Sequence, residues 1–242
     1  MAKSSSMSLD KAHEPLMEVV AAGIAHEVRN PLNALQISLR ILEQELHERI
    51  PDRDAHVFSV LGSIAAEIRN LDEFVAEFLR FARPPKLKLE RVPLRPLLTD
   101  LASFIAPQCA SKQVSLHLSL ERGASSLVAD SFQLKRAILN LVLNALDATP
   151  AGGDIVIETG GAERSNELTI EVRDTGEGIP AALAEQVFGL FFTTREGGTG
   201  LGLPIAARIV RDHGGRLELR SDAGHGTRAV LWLPLRSSSE AT

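Results

Sequence analysis

Residues 57–82 read VFSVLGSIAAEIRNLDEFVAEFLRFA, and the spacing of their apolar side chains decides the architecture of the first third of the chain. Val57, Leu61, Ile64, Ile68, Leu71, Val75, Phe78 and Ala82 follow one another at alternating steps of four and three, the pattern of an α-helix with a continuous apolar seam. Upstream, Val28, Leu32, Leu35, Leu39, Leu42 and Leu46 keep the same rhythm, and Ala25 and Ala21 extend it backwards. HERIPDRD, residues 47–54, separates the runs with charges and Pro51, so they fold back as an antiparallel helical hairpin. A lone hairpin leaves half of each seam in water. Pairing two copies into a four-helix bundle buries the rest, which predicts a homodimer.

The rhythm stops at RPPKLKLERVPLRP, residues 83–96, which contains four prolines. Residues 84–93 are expected to be a linker between a helical hairpin (16–83) and a second domain (94–236), with disordered tails at 1–15 and 237–242. Beyond the linker the periodicity changes. Helical text from Leu94 to Gln113 precedes strands VSLHLSL (114–120) and SSLVAD (125–130) and a helix from Asp130 to Thr149. Strands DIVIET (154–159) and ELTIEVRD (167–174), a glycine-rich stretch, a helix from near Leu203 and a hairpin RLELRS (216–221) / TRAVLWLPL (227–235) complete it. Helices gathered on one face of a mixed sheet give an α+β two-layer sandwich, so the chain reads as multidomain.

With 242 residues and 44% hydrophobic content the chain is long and apolar enough to build packed cores. A formal net charge of −5 argues against nucleic acid as a main partner. The one cysteine, Cys109, excludes an internal disulfide and a cysteine-rich zinc site and fits a reducing compartment, so the expected location is cytoplasmic. No window approaches 18 uninterrupted apolar residues, and no membrane contact is expected.

Three polar groups sit in apolar text. The helix DSFQLKRAILNLVLNALDATP opens on Asp130 with Gln133 three residues on, a capping-box pattern. Asn140, Asn144 and Asp147 then fall on one stripe of an otherwise apolar helix, either a solvated edge or a set of oxygen ligands for a hard cation such as Mg²⁺. In NELTIEVRDTGEGIP, Leu168, Ile170 and Val172 share a strand face with Asp174, which aims a carboxylate inward just before Gly176 and Gly178; an ordinary turn reads the same way. Finally Gly197, Gly198, Gly200 and Gly202 precede a helix with Pro204 in its first turn, either a mobile loop or a phosphate-attracting helix start.

Five short stretches together carry a family resemblance. GIAHEVRNPLNAL (23–35) resembles the phospho-acceptor box of sensor histidine kinases, and NLVLNALDA (140–148), DTGEGIP (174–180), FGLFFTT (188–194) and GTGLGL (198–203) resemble the nucleotide-binding boxes of their Bergerat-type ATPase domain. The likeness spans about residues 16–236, in the family's order, and its HExxN and FFTT signatures are nearest the nitrogen-regulation type.

The resemblance implies an ATP-dependent protein-histidine autokinase that phosphorylates His26 and passes the phosphoryl group to an aspartate of a response regulator receiver domain. In the heptad frame Ala25 and Val28 lie on the seam, so His26 projects outward. By resemblance Glu27 orients the ring and takes its proton, and Asn30 aligns water to dephosphorylate the regulator. ATP and Mg²⁺ are the implied cofactors, with Asn144 and Asn140 holding the metal and Asp174 accepting from the adenine amino group. Gly176 and Gly178 close the backbone around the base. Asp147, Arg195, Thr199, Gly200, Leu201 and Gly202 complete the implied ATP set, under a lid of residues 189–199 packed on Phe188, Phe191 and Phe192. Arg195 stands where relatives usually carry lysine, and FGLFF lacks the usual proline of FxPFF. A zinc hydrolase built on H-E-x-x-H fails at Asn30, and gyrase-like ATPases lack the His-Glu box. An ATP-binding scaffold without transfer is the remaining alternative.

Overall fold

The computed structural model describes residues 28, 31–42, 44, 46, 55–82, 86–121, 126–162, 166–195 and 198–235. The chain divides into two compact units, Met1–Pro85 and Lys86–Thr242.

In the first unit, helix α1 (residues 31–42 in its continuous described part) and helix α2 (Ala55–Ala82) carry the seam. Leu32 packs with Ile68 and Val75, joined by Val28, Leu39, Phe74 and Leu79. That contact sets the start of α1 against the second half of α2, as an antiparallel hairpin requires. The seam divides into two rows, each repeating every seven residues. Leu61, Ile68, Val75 and Ala82 are buried, whereas Ile64 and Leu71 between them are exposed, as are Leu35 and Leu42 on α1.

The second unit is a two-layer sandwich. Its elements are β1 (Glu90–Pro93), α3 (Leu94–Ser111), β2 (Ser115–Leu120), β3 (Ser126–Ala129), α4 (Ser131–Ala148), β4 (Asp154–Ala162) and β5 (Glu167–Asp174), then α5 (Gly202–Asp212), β6 (Arg216–Ser221) and β7 (Thr227–Pro234). Five strands form one mixed sheet in the order β2-β4-β5-β7-β6, parallel only between β2 and β4. Period-two burial of Leu168, Ile170, Val172 and Asp174 turns one face toward α3, α4 and α5. The other face is a charged lattice in which Arg228 pairs with Glu171 at 2.7 Å and Arg216 stacks over Trp232 at 4.5 Å.

Two expectations change. Residues 84–93 were expected to be linker, but Glu90–Pro93 is a strand, paired antiparallel with β3 from Glu90↔Ala129 to Pro93↔Ser126. Buried Val92 anchors it, and Pro93, which has no N–H to extend a ladder, ends it where α3 begins. Strand β3 accordingly joins β1 in a separate two-stranded sheet rather than the main one.

Candidate functional site

Helix α4 positions the polar stripe. Asp130 caps it by accepting from Gln133 N at 3.0 Å, but the reciprocal half of the capping box does not form. Asp130 N donates instead to His213 Nε2 at 3.0 Å, and Gln133 Oε1 is buried without a partner among the described residues. Leu134, Ala137, Ile138, Leu141, Val142 and Ala145 bury one face of α4. Asn140 and Asn144 lie half-buried at its edge and Asp147 is exposed.

Helix α5 begins over that edge. Asn140 Nδ2 donates to Gly202 O at 3.2 Å, and a Cβ on Gly202 would stand 3.6 Å from both amide atoms of Asn144. Among the described residues the Asn144 side chain makes no hydrogen bond, so an amide that would otherwise want partners is left facing the start of α5.

Asp174, 6% exposed, ends β5 at the other extreme of the stripe. Its Oδ1 accepts from Gly176 N at 2.8 Å and Thr227 N at 3.1 Å, and among the described residues no donor meets Oδ2. Burial pushes this carboxyl above the usual carboxylate range, opposed by the Gly176 and Thr227 N–H groups and then by the Arg195 charge. Gly176 is required here because a Cβ would lie 2.5 Å from Ala148 O. The turn after β5 therefore sits directly on the C-terminal end of α4. Gly178 follows, against the backbone of Asp222.

The segment between β5 and α5 contains short 3₁₀ turns at Ala181–Leu183 and Gln186–Phe188 and closes on itself: a Cβ on Gly200, at φ 64°, would run into the backbone of Phe191. Phe188 and Phe192 are half-buried. Phe191 adopts φ 63° and is 51% exposed, at the point where the backbone approaches Gly200.

Arg195 reaches the stripe, donating from Nη2 to Asn144 O at 3.1 Å, with Nη1 3.8 Å from Asp147 Oδ2. Asp147 also pairs with Lys112 Nζ at 2.6 Å, so its carboxylate faces cations. Thr199 is exposed and accepts from Leu201 N at 3.4 Å. Leu201 is fully buried and could offer a ligand only its backbone. The structure thus gathers Asn140, Asn144, Asp147, Arg195 and Gly202 about one edge of α4, with Asp174 and Gly176 at its end. His26, Glu27 and Asn30 lie outside the described residues, as does part of the lid, residues 196 and 197.

Sequence reasoning missed Thr227, Lys112 and His213. The first two reach the site from 53 and 35 residues away, a separation that no local pattern encodes. His213 did leave a signal, since Ile205, Ile209 and His213 recur every fourth residue on the buried face of α5.

The donor set suits a nucleotide with a hard cation. Among the described residues no cluster of three His, Cys, Asp or Glu could hold a metal alone, but the Asn140 and Asn144 side-chain oxygens suit an ion that keeps waters and phosphate oxygens as its other ligands.

Comparison with known proteins agrees. Residues 17–86 match the family model described as His Kinase A (phospho-acceptor) domain, and residues 129–237 match Histidine kinase-, DNA gyrase B-, and HSP90-like ATPase. The chain is 33% identical over 221 residues to Sporulation kinase C of Bacillus subtilis, covering 91% of this chain and 49% of the relative. It is 34% identical over 217 residues to Sensor histidine kinase ZraS of Escherichia coli, covering 89% and 45%. The chain thus spans about half the length of the curated relatives it matches. Among solved structures, full-length ShkA in complex with AMPPNP superimposes with TM-score 0.78 at 25% identity over 91% of this chain and 46% of that one. A helical phospho-acceptor region followed by an ATPase-type sandwich, matched by family model, relative and fold alike, makes this chain a member of the sensor histidine kinases of two-component systems.

Proposed function

We propose that the chain is an ATP-dependent protein-histidine autokinase that phosphorylates His26 and hands the phosphoryl group to an aspartate of a response regulator receiver domain. One observation carries the reading. A buried carboxylate, Asp174, whose Oδ1 accepts two backbone N–H groups while no donor among the described residues meets Oδ2, stands at one end of a helix edge on which the Asn144 side-chain amide, without a hydrogen bond among the described residues, faces a glycine-rich helix start. Asp174 Oδ2 accepts from the exocyclic amine of adenine. The Gly202 backbone and Asn140 bracket the phosphates, and Arg195 exchanges Asn144 O for a phosphate oxygen. Asn144 and Asn140 hold Mg²⁺ through their side-chain oxygens, and the ion neutralises phosphate charge.

Neutral imidazole of His26 attacks the γ-phosphorus, the bond to the β–γ bridging oxygen breaks, ADP leaves and Glu27 takes the ring proton. The phosphoramidate then donates to an aspartate carboxylate, and Asn30 aligns water for the reverse task of dephosphorylating the regulator. Residues 16–83 form the phosphotransfer hairpin, and the catalytic domain, which the sequence alone starts at 94, takes in β1 as well and runs from Lys86 to about residue 236. The exposed row of Leu35, Leu42, Ile64 and Leu71 supports a homodimer, because four large apolar side chains in register on one hairpin need a cover. The HExxN and FFTT signatures support the nitrogen-regulation subtype. Among the described residues no helix is long and apolar enough to cross a membrane, and the reading is of a chain working in the cytoplasm.

Incubation with γ-labelled ATP and Mg²⁺ tests the proposal. The expected result is acid-labile, alkali-stable label on the protein, absent in His26→Gln and moved to a receiver domain on addition. ATP binding without label would instead support a non-transferring scaffold.

A further inference from the structure

Building on the nucleotide reading above, we infer that His213 is a positioning residue for the site, a rung that fixes how far α5 can slide along α4. His213 is 3% exposed and its two ring nitrogens have different partners. Nε2 lies 3.0 Å from Asp130 N, a backbone donor, so Nε2 is the acceptor and Nδ1 carries the proton to Ile209 O at 2.7 Å. One imidazole therefore ties the C-terminal end of α5 to the N-cap of α4. The same cap residue takes Lys88 N on Oδ2 at 2.9 Å, so the strap entering this unit ends on the rung as well.

The two helices run antiparallel and touch again where α5 begins, beside the middle of α4, where Asn140 Nδ2 meets Gly202 O. Along α4, positions 130 and 140 are ten residues apart, about 15 Å at the helical rise. Along α5, positions 202 and 213 are eleven apart, about 16 Å. Two rails of nearly equal length joined by a rung at each end have a single register. An α-helix is stiff over three turns, so a slip at His213 reappears as a slip of Gly202 past Asn140 and Asn144. The His213 rung is buried and remote from phosphate, so it can set the spacing of the site without touching substrate.

The full-length variants His213→Asn and His213→Gln separate this role from packing. The glutamine Oε1 reaches the place of Nε2 and can accept from Asp130 N. The asparagine amide reaches only the place of Nδ1, keeping the contact to Ile209 O and losing the rung. His213→Asn is expected to weaken Mg²⁺–ATP binding about fivefold to thirtyfold, while His213→Gln stays within about twofold of wild type at matched thermal stability. Without nucleotide, the Gly202 backbone amide and Asn140 side-chain amide resonances should move in His213→Asn and not in His213→Gln. Unmoved resonances in a folded His213→Asn, or equal losses in both variants, overturn the inference. If His213→Asn does not fold, His213→Gln decides alone, and a folded His213→Gln with weakened binding overturns it. Wild-type protein that binds no ATP would sink the parent reading, and the resonances would still judge the rung.

Discussion

Burial works against the charge of Asp174. Its folded-state pKa lies above the ordinary value, so below that ordinary value the folded and unfolded chains both carry the proton and nothing is lost. As pH rises through the ordinary and then the raised value, the unfolded chain ionises more readily and the fold loses stability. Asp174→Asn keeps the acceptor oxygen for Gly176 and Thr227 and removes the charge. Its melting temperature relative to wild type should therefore rise from acid toward neutral pH, which a series of melts would show. Nucleotide affinity should move the other way, falling about tenfold to hundredfold, because the amide cannot replace a carboxylate opposite an amine. Binding unchanged by this substitution would remove Asp174 from the site. Gly176→Ala tests the neighbouring close approach, since the added methyl meets Ala148 O; a destabilisation of about 1–3 kcal/mol is expected from chemical denaturation. The inward aim of Asp174 was legible in the sequence because strand side chains alternate. What saturates Oδ1 was not, because Thr227 opens β7, 53 positions later in the chain.

The hairpin seam shows the limit of periodicity at the scale of elements. Steps of four and three announce an apolar stripe, yet they do not say which half of it the partner helix covers. The structure assigns Leu61, Ile68 and Val75 to the inside and Ile64 and Leu71 to the outside. The two rows should therefore respond differently. Ile68→Ala is expected to destabilise the hairpin by about 2–4 kcal/mol, read from denaturant unfolding. Ile64→Lys with Leu71→Lys should leave helical content intact and weaken self-association at least about tenfold, because four charges would have to be buried per dimer. Sedimentation that shows no concentration dependence in the wild type would defeat that expectation. The strand Glu90–Pro93 illustrates the opposite failure. The prolines in and around it mark a linker by composition, while the buried Val92 and the pairing with β3, contributed by residues more than 30 positions later, make it structure.

For the molecule as a whole, every described residue of the proposed nucleotide site belongs to the unit beginning at Lys86, which has its own sheet, helices and core. A fragment of residues 86–242 should therefore melt cooperatively and bind ATP within about threefold of the full chain, while acquiring no label from the γ-phosphate. Loss of binding in the fragment would show that the hairpin completes the pocket. The interleaved rows of the seam have a further consequence. Leu35, Leu42, Ile64 and Leu71 do not hold the hairpin together, so their shapes are free to diverge without unfolding it. With these four positions altered, a hairpin that pairs with a copy of itself would come to accept a different partner while the covered row beneath stays the same.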